Sequence, residues 1–125
     1  MSVQINQYIM LGVRFDWDEF YGQCVKQFQV VEDDVYDSVE KYRDSAYDGI
    51  VEHNGLSVID DGMNCDYVIV GKVIEKTLED DNIFGLHAIE FDEVEVARIK
   101  TAIVDQFGYP EERVLVKVYV FGHYS

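Results

Sequence analysis

The sequence predicts a single α+β domain in which helices pack on one face of a mainly antiparallel sheet. Four stretches have the spacing and composition of strands, and three others have apolar residues every three to four positions. The resulting order, βααββαβ, matches a split-βαβ, ferredoxin-like sandwich if the two helices before the hairpin merge. A chain of 125 residues with 48% hydrophobic residues fits one core, so we predict one domain over residues 1–125.

The chain begins with a predicted strand and helix. Residues 3–15 alternate at first and then become continuously apolar, which is typical of a buried strand. Asp16 followed by Glu19 resembles an acidic capping box, and it predicts that a helix begins at Trp17. This helix, residues 17–28, carries one apolar face made of Trp17, Phe20, Tyr21, Cys24, Val25 and Phe28.

A second helical stretch is predicted after residue 32. Asp33 or Asp34 can cap it, and Gly49 can end it. It forms either a separate helix or a bent continuation of the first. Its apolar residues recur every three to four positions at Val35, Val39, Tyr42 and Ala46.

The middle of the chain predicts a hairpin. Residues 56–59 and 67–74 have the composition of strands, and the residues between them are mostly turn formers. The polar residues 77–84 predict a surface loop, and residues 86–91 a short extended piece.

The last helix and strand complete the predicted order. Asp92 and Glu95 predict the beginning of a helix over residues 93–107, and Gly108 with Pro110 predicts its end. In the final strand, residues 114–121, we expect the valine face to meet the helices. These valines are Val114, Val116, Val118 and Val120.

Charge restricts the partners that the protein can bind. The 25 acidic residues outnumber the 10 basic ones and give a formal net charge of −15, which argues against direct binding to nucleic acid or to an anionic membrane. A basic protein is the expected macromolecular partner, and a homo-oligomer stays open. Cys24 and Cys65 are expected to be free thiols in a reducing cytoplasm, since the sequence has no dense cysteine framework and no recognisable leader or apolar span.

One acidic stretch is a candidate partner-binding surface. If residues 33–48 are helical, five carboxylates lie along one side over about 22 Å, with a spacing comparable to, though sparser than, that of the charges on a DNA strand. Tyrosines among them would suit a protein interface. A solvated helix face is the alternative interpretation. The candidate residues are Asp33, Tyr36, Asp37, Glu40, Asp44, Tyr47 and Asp48.

The sequence lacks the common catalytic and metal-binding motifs, so it gives little support to an enzymatic function. We find no glycine-rich phosphate loop, no nucleophile elbow and no paired metal-ligand spacing. The oxygen-rich segment of residues 60–66 departs from the calcium-loop pattern and is better interpreted as a turn. The histidines and Cys65 lack the spacing of a zinc site. The sequence therefore predicts a non-enzymatic protein with no cofactor and no metal.

Two short stretches resemble a group of known proteins. The opening Met1-Ser2-Val3-Gln4-Ile5-Asn6, with Asp61-Gly62-Met63-Asn64 and the strand after it, is similar to small uncharacterised proteins of tailed bacteriophages and prophages. The resemblance covers little of the chain and implies no functional residue. It implies a protein that acts in the host cytoplasm by binding and blocking host machinery.

Three functional hypotheses follow. The first is an acidic inhibitor, in the extreme a DNA mimic, that occupies a basic nucleic-acid-handling surface of a host protein such as a restriction or CRISPR effector. The second is a small-ligand or nucleotide-binding or processing protein whose carboxylates hold a cation. The third is a subunit of a viral or cellular assembly. The inhibitor hypothesis predicts that the acidic residues lie outside any cleft. The ligand-binding hypothesis predicts that several carboxylates converge in one cleft.

Overall fold

The computed structural model of the protein describes residues 5–43, 50–77 and 92–124. Four strands and three α-helices follow one another in the order β, α, α, β, β, α, β, which confirms the predicted α+β class. They are β1 Ile5–Asp16, α1 Trp17–Phe28, α2 Val35–Val39, β2 Ser57–Asp60, β3 Tyr67–Thr77, α3 Glu93–Phe107 and β4 Lys117–Tyr124. Single 3₁₀ turns span Glu32–Asp34, Glu40–Tyr42 and Glu111–Arg113.

The four strands form one sheet in the order β2-β3-β1-β4. Each neighbouring pair is antiparallel, so the arrangement is that of a split-βαβ sandwich. β3 runs three residues beyond the predicted strand and ends at Thr77, and β4 begins and ends three residues later than predicted. The remainder of the predicted surface loop, residues 78–84, and the predicted extended piece, residues 86–91, lie outside the described residues.

The larger core lies between the sheet and the helices. Its fully buried side chains include Phe15 of β1, Phe20 of α1 and three residues of α3, namely Ile99, Ile103 and Phe107. Aromatic rings meet across the elements: the centroids of Phe20 and Phe107 are 5.3 Å apart. The predicted apolar faces of α1 and α3 therefore provide the contact between helices and sheet.

The opposite face of the sheet carries a second apolar cluster. Tyr8, Met10, Ile59, Ile69 and Val73 are each no more than 5% exposed. They alternate along their strands with the residues of the larger core, as the period of a strand requires. Both faces of this sheet are therefore apolar, which explains why the predicted strands are almost continuously hydrophobic.

The valines of β4 and of the segment before it face the helices only in part. Val114, Val116 and Val118 pack with the larger core, but Val120 is 63% exposed, so the prediction was wrong there. Val120 pairs with Ile9, where the register between β1 and β3 shifts. It thus lies beyond the part of β1, starting at Leu11, that contributes to this core.

The predicted helix caps differ in outcome. Asp92 accepts a hydrogen bond of 2.8 Å from the backbone N–H of Glu95, and Gly108 closes α3 with a φ of 74°, as predicted. Asp16 makes no side-chain cap on α1, because its carboxylate instead accepts from Arg14 at 2.9 Å. The capping-box prediction at Asp16 was therefore wrong, although α1 begins where it was expected.

The second predicted helix is much shorter than its periodicity suggested. Its α-helical part is only Val35–Val39, and the following 3₁₀ turn ends at Tyr42, after which the backbone of Arg43 is extended. Arg43 pairs with Val58 as an isolated bridge, so the chain leaves the helix to lie beside β2. A continuous helix through residue 46 is therefore excluded. The five carboxylates between residues 33 and 48 cannot all lie along one helix, so their predicted similarity to the charge spacing of a DNA strand no longer holds.

Within the described residues, none of the helices is long and apolar enough to cross a membrane.

The two cysteines are free and lie in opposite environments. Burial raises the pKa of the Cys24 thiol to about 12, whereas Cys65 is exposed in the turn after β2. Because the thiolate is the reactive form, we expect iodoacetamide to alkylate only Cys65 in the folded protein at mildly alkaline pH. Intact-mass spectrometry should show one added group, and Cys65→Ser should show none until denaturant is added. Two added groups on the native protein would contradict this expectation.

Candidate functional site

A half-open groove lies between α1 and the segment that leads into α2. Its volume is about 380 Å³. One wall comes from α1 and the other from residues 32–36. The lining residues are Trp17, Asp18, Tyr21, Gly22, Val25, Glu32, Val35 and Tyr36.

The α1 wall follows from helical spacing. Asp18, Tyr21, Gly22 and Val25 are separated by three, one and three residues, so they lie on one side of the helix. The core face of α1, with Phe20 and Cys24, points elsewhere. α1 thus contributes to the core with one face and to the groove with a neighbouring one.

Three aromatic rings contribute to the apolar part of the groove. The Tyr21 centroid lies 4.7 Å from that of Trp17 and 4.8 Å from that of Tyr36, and the rings are tilted by about 50° in each pair. Tyr21 is buried, while Tyr36 is 42% exposed because its neighbour Val35 takes the buried position in α2. The groove therefore has a fixed aromatic floor and a more accessible ring at its rim.

The charged residues of the groove are all acidic. Asp18 and Glu32 are exposed lining residues, and the exposed Asp33, Asp34 and Asp37 follow in the adjoining segment. Within residues 5–43, 50–77 and 92–124, none of these five carboxylates forms a salt bridge with a basic side chain. The neighbouring Glu19, in contrast, is paired with Arg113 at 2.6 Å.

A polar network holds Tyr21 in place. Its hydroxyl donates a hydrogen bond of 2.5 Å to Asp60 and accepts one of 3.2 Å from Arg43. The Arg43 guanidinium lies 3.1 Å from Asp60 and 3.6 Å from Glu40. The network joins α1, the segment after α2 and the end of β2, and so it fixes one end of the groove.

The electrostatics of this network favour a structural role. Burial, together with the hydrogen bond to Asp60, raises the pKa of Tyr21 far above its ordinary value. Burial alone would lower the pKa of Arg43, but the charge of Asp60 together with the contributions of Tyr21 and Glu40 outweighs burial and raises the pKa. Tyr21 thus stays neutral and Arg43 stays charged at physiological pH, and neither is placed as a proton-transfer group.

Four of the seven predicted partner-binding residues lie in the described part of the chain, close to one another in sequence. Asp33, Tyr36, Asp37 and Glu40 are all exposed, but they lie on a 3₁₀ turn, a short helix and a second turn and not on one long helix face. Glu40 is paired with Arg43. The other three predicted residues, Asp44, Tyr47 and Asp48, lie outside the described residues.

The groove itself was missed from the sequence. The helical spacing predicts only that Trp17 and Tyr21 lie on the apolar face of α1, and it predicts no role for Gly22. One signal could have drawn attention to the groove, namely a glycine in the middle of a strongly amphipathic helix. The network of Tyr21, Arg43 and Asp60 left no such signal, because 39 residues separate Tyr21 from Asp60.

The acidic turn after β2 forms a closed local structure. The Asp61 carboxylate accepts backbone hydrogen bonds from Asn64 at 3.2 Å and Asp66 at 3.3 Å, which supports the turn interpretation. In the part of the chain that the structure describes, no group of three or more His, Cys, Asp or Glu residues is arranged to hold a metal ion.

Comparisons with known proteins return no family model, no curated protein and no solved structure that matches this chain.

Proposed function

We propose that this protein is a non-enzymatic acidic binding protein that occupies a basic, nucleic-acid-handling surface of another protein. One observation carries the proposal: five exposed carboxylates without salt-bridge partners in the described parts of the chain lie in or beside an aromatic groove. They are Asp18, Glu32, Asp33, Asp34 and Asp37. This combination of charge and accessible aromatic surface suits a protein interface.

The overall charge supports the same function. With a formal net charge of −15, the protein repels nucleic acid and attracts basic surfaces over distances of about one Debye length, roughly 8 Å at physiological salt. A nucleic-acid-handling protein presents such a basic surface, and an acidic ligand on it competes directly with the phosphate backbone. The similarity of the opening residues to phage proteins supports a bacterial host protein as the partner.

The experiment compares two variants that have the same net charge. Asp33→Asn/Asp34→Asn/Asp37→Asn removes three carboxylates beside the groove, whereas Glu52→Gln/Asp105→Asn/Glu112→Gln removes three exposed carboxylates elsewhere. Each variant changes the formal net charge from −15 by three, to −12. We expect both to change the free energy of unfolding by less than about 0.5 kcal/mol per site. Only the first should lose partner binding strongly, through a slower association rate and a weaker salt dependence.

The partner is first captured from bacterial lysate at low salt, released at high salt, purified, and then titrated with each variant. Excess duplex DNA should displace the protein from its partner. Equal binding by the wild type and the first variant would contradict the proposal, as would a captured partner with no affinity for nucleic acid.

A further inference from the structure

Gly22 is unfavourable for the helix in which it lies. It is near the middle of α1, Trp17–Phe28, where glycine is less favourable than alanine by about 1 kcal/mol. A Cβ atom built on Gly22 would have no neighbouring atom within 4 Å, so packing does not require glycine there. Gly22 is a lining residue of the groove, so a longer side chain at this position would occupy part of the groove.

The lining of the groove specifies the chemistry of an occupant. The accessible parts of the Trp17 and Tyr36 rings attract a cation, with the buried Tyr21 ring packed against both, and the carboxylates of Asp18 and Glu32 can form ion pairs with it. No lysine or arginine is among the lining residues. An anionic ligand, such as a nucleotide or a phospholipid headgroup, would meet two carboxylates with no countercharge in the lining.

We infer that this groove receives an arginine side chain from the basic partner protein and that Gly22 keeps the groove open for it. The inference rests on the proposed function, and it names the part of the surface that recognises the partner. Binding of the arginine offsets the unfavourable effect of glycine on the helix, because Gly22 leaves the space beside Trp17 and Tyr36 open.

Arginine fits this groove better than lysine. A guanidinium is planar and weakly hydrated, so it stacks on an aromatic face while its N–H groups donate to carboxylates at the ring edge. The Arg43 guanidinium of the chain itself makes a related contact, 5.9 Å from the centroid of Tyr36. A lysine ammonium is a strongly hydrated point charge, and it would lose more hydration on entering the groove.

The test uses a defined probe and an intrinsic reporter. Trp17 is the only tryptophan of the chain and lines the groove, so tryptophan fluorescence reports on this site. We expect a hexa-arginine peptide to change Trp17 fluorescence in a saturable way at physiological salt. Hexa-lysine should bind more weakly, and a hexa-citrulline peptide, which keeps the shape of arginine without its charge, should not bind.

Gly22→Leu places a branched side chain in the groove and is the decisive variant. It should retain or raise the Tm of the protein, since leucine favours a helix more than glycine does, and it should weaken hexa-arginine binding by about tenfold or more. Ala97→Leu is the control, because it also introduces a leucine at an exposed helical position, here in α3, and it should bind like the wild type. If Gly22→Leu misfolds, Gly22→Ala replaces it, with a smaller loss of binding and a raised Tm.

Three results would overturn the inference: equal binding by Gly22→Leu and the wild type, equal binding of hexa-lysine and hexa-arginine, or equal weakening by Gly22→Leu and Ala97→Leu. Binding of the purified partner distinguishes a failure of the groove inference from a failure of the proposed function. If the Asp33, Asp34 and Asp37 variant loses the partner and Gly22→Leu keeps it, the groove inference fails and the proposed function stands. If neither variant weakens partner binding, the proposed function fails.

Discussion

Gly71→Ala is expected to destabilise the fold by about 3 kcal/mol or more, which is a large part of the stability of a domain of this size. Gly71 of β3 faces Gly12 of β1 across the middle of the sheet. A Cβ atom on Gly71 would overlap the carbonyl oxygen of Leu11 and lie 2.5 Å from the Cα atom of Gly12. Because these neighbours are backbone atoms of a central strand, they cannot move aside without disrupting the ladder between β1 and β3.

Urea unfolding followed by circular dichroism measures this effect. Gly62→Ala is the matched control, since it makes the same substitution in the turn after β2, where a Cβ atom would meet nothing within 4 Å. We expect Gly62→Ala to change the free energy of unfolding by no more than about 0.5 kcal/mol. Similar unfolding midpoints for the two variants would show that β1 and β3 do not approach as closely as the structure indicates.

Phe107→Ala is expected to reduce the free energy of unfolding by about 4 kcal/mol. Phe107 is fully buried at the end of α3. Its ring centroid lies 5.3 Å from that of Phe20, 5.0 Å from that of Tyr42 and 5.9 Å from that of Phe28. The substitution removes the apolar contacts of the ring and leaves a cavity among three aromatic side chains that cannot fill it.

Val94→Ala on the same helix is the control for this variant. Val94 is 76% exposed, so its truncation should cost less than about 0.5 kcal/mol. Because Tyr42 packs on Phe107 and ends the 3₁₀ turn that precedes Arg43, Phe107→Ala should also loosen the segment that carries the groove wall. A loss of stability by Phe107→Ala as small as that of Val94→Ala would contradict the central place of this ring in the core.

The sequence by itself determined the elements whose signals are local. α1 and α3 begin and end at the predicted residues, because each has an apolar stripe at helical spacing and α3 also has Asp92 and Gly108 at its ends. The strands were found within about three residues, since their β-branched and aromatic composition is equally local. The acidic net charge, and with it the class of partner that we propose, needs only a count of residues.

Tertiary contacts decided the features that depend on distant residues. Local periodicity favoured a helix through residue 46, but pairing of Arg43 with Val58 and its ion pair with Asp60 draw the chain out of the helix. The groove likewise exists only because α1 and residues 32–36 pack side by side. Capping and periodicity act over about four residues, so they are readable in the sequence. Contacts between segments far apart in the chain depend on how the elements pack, and a single sequence does not specify that packing locally.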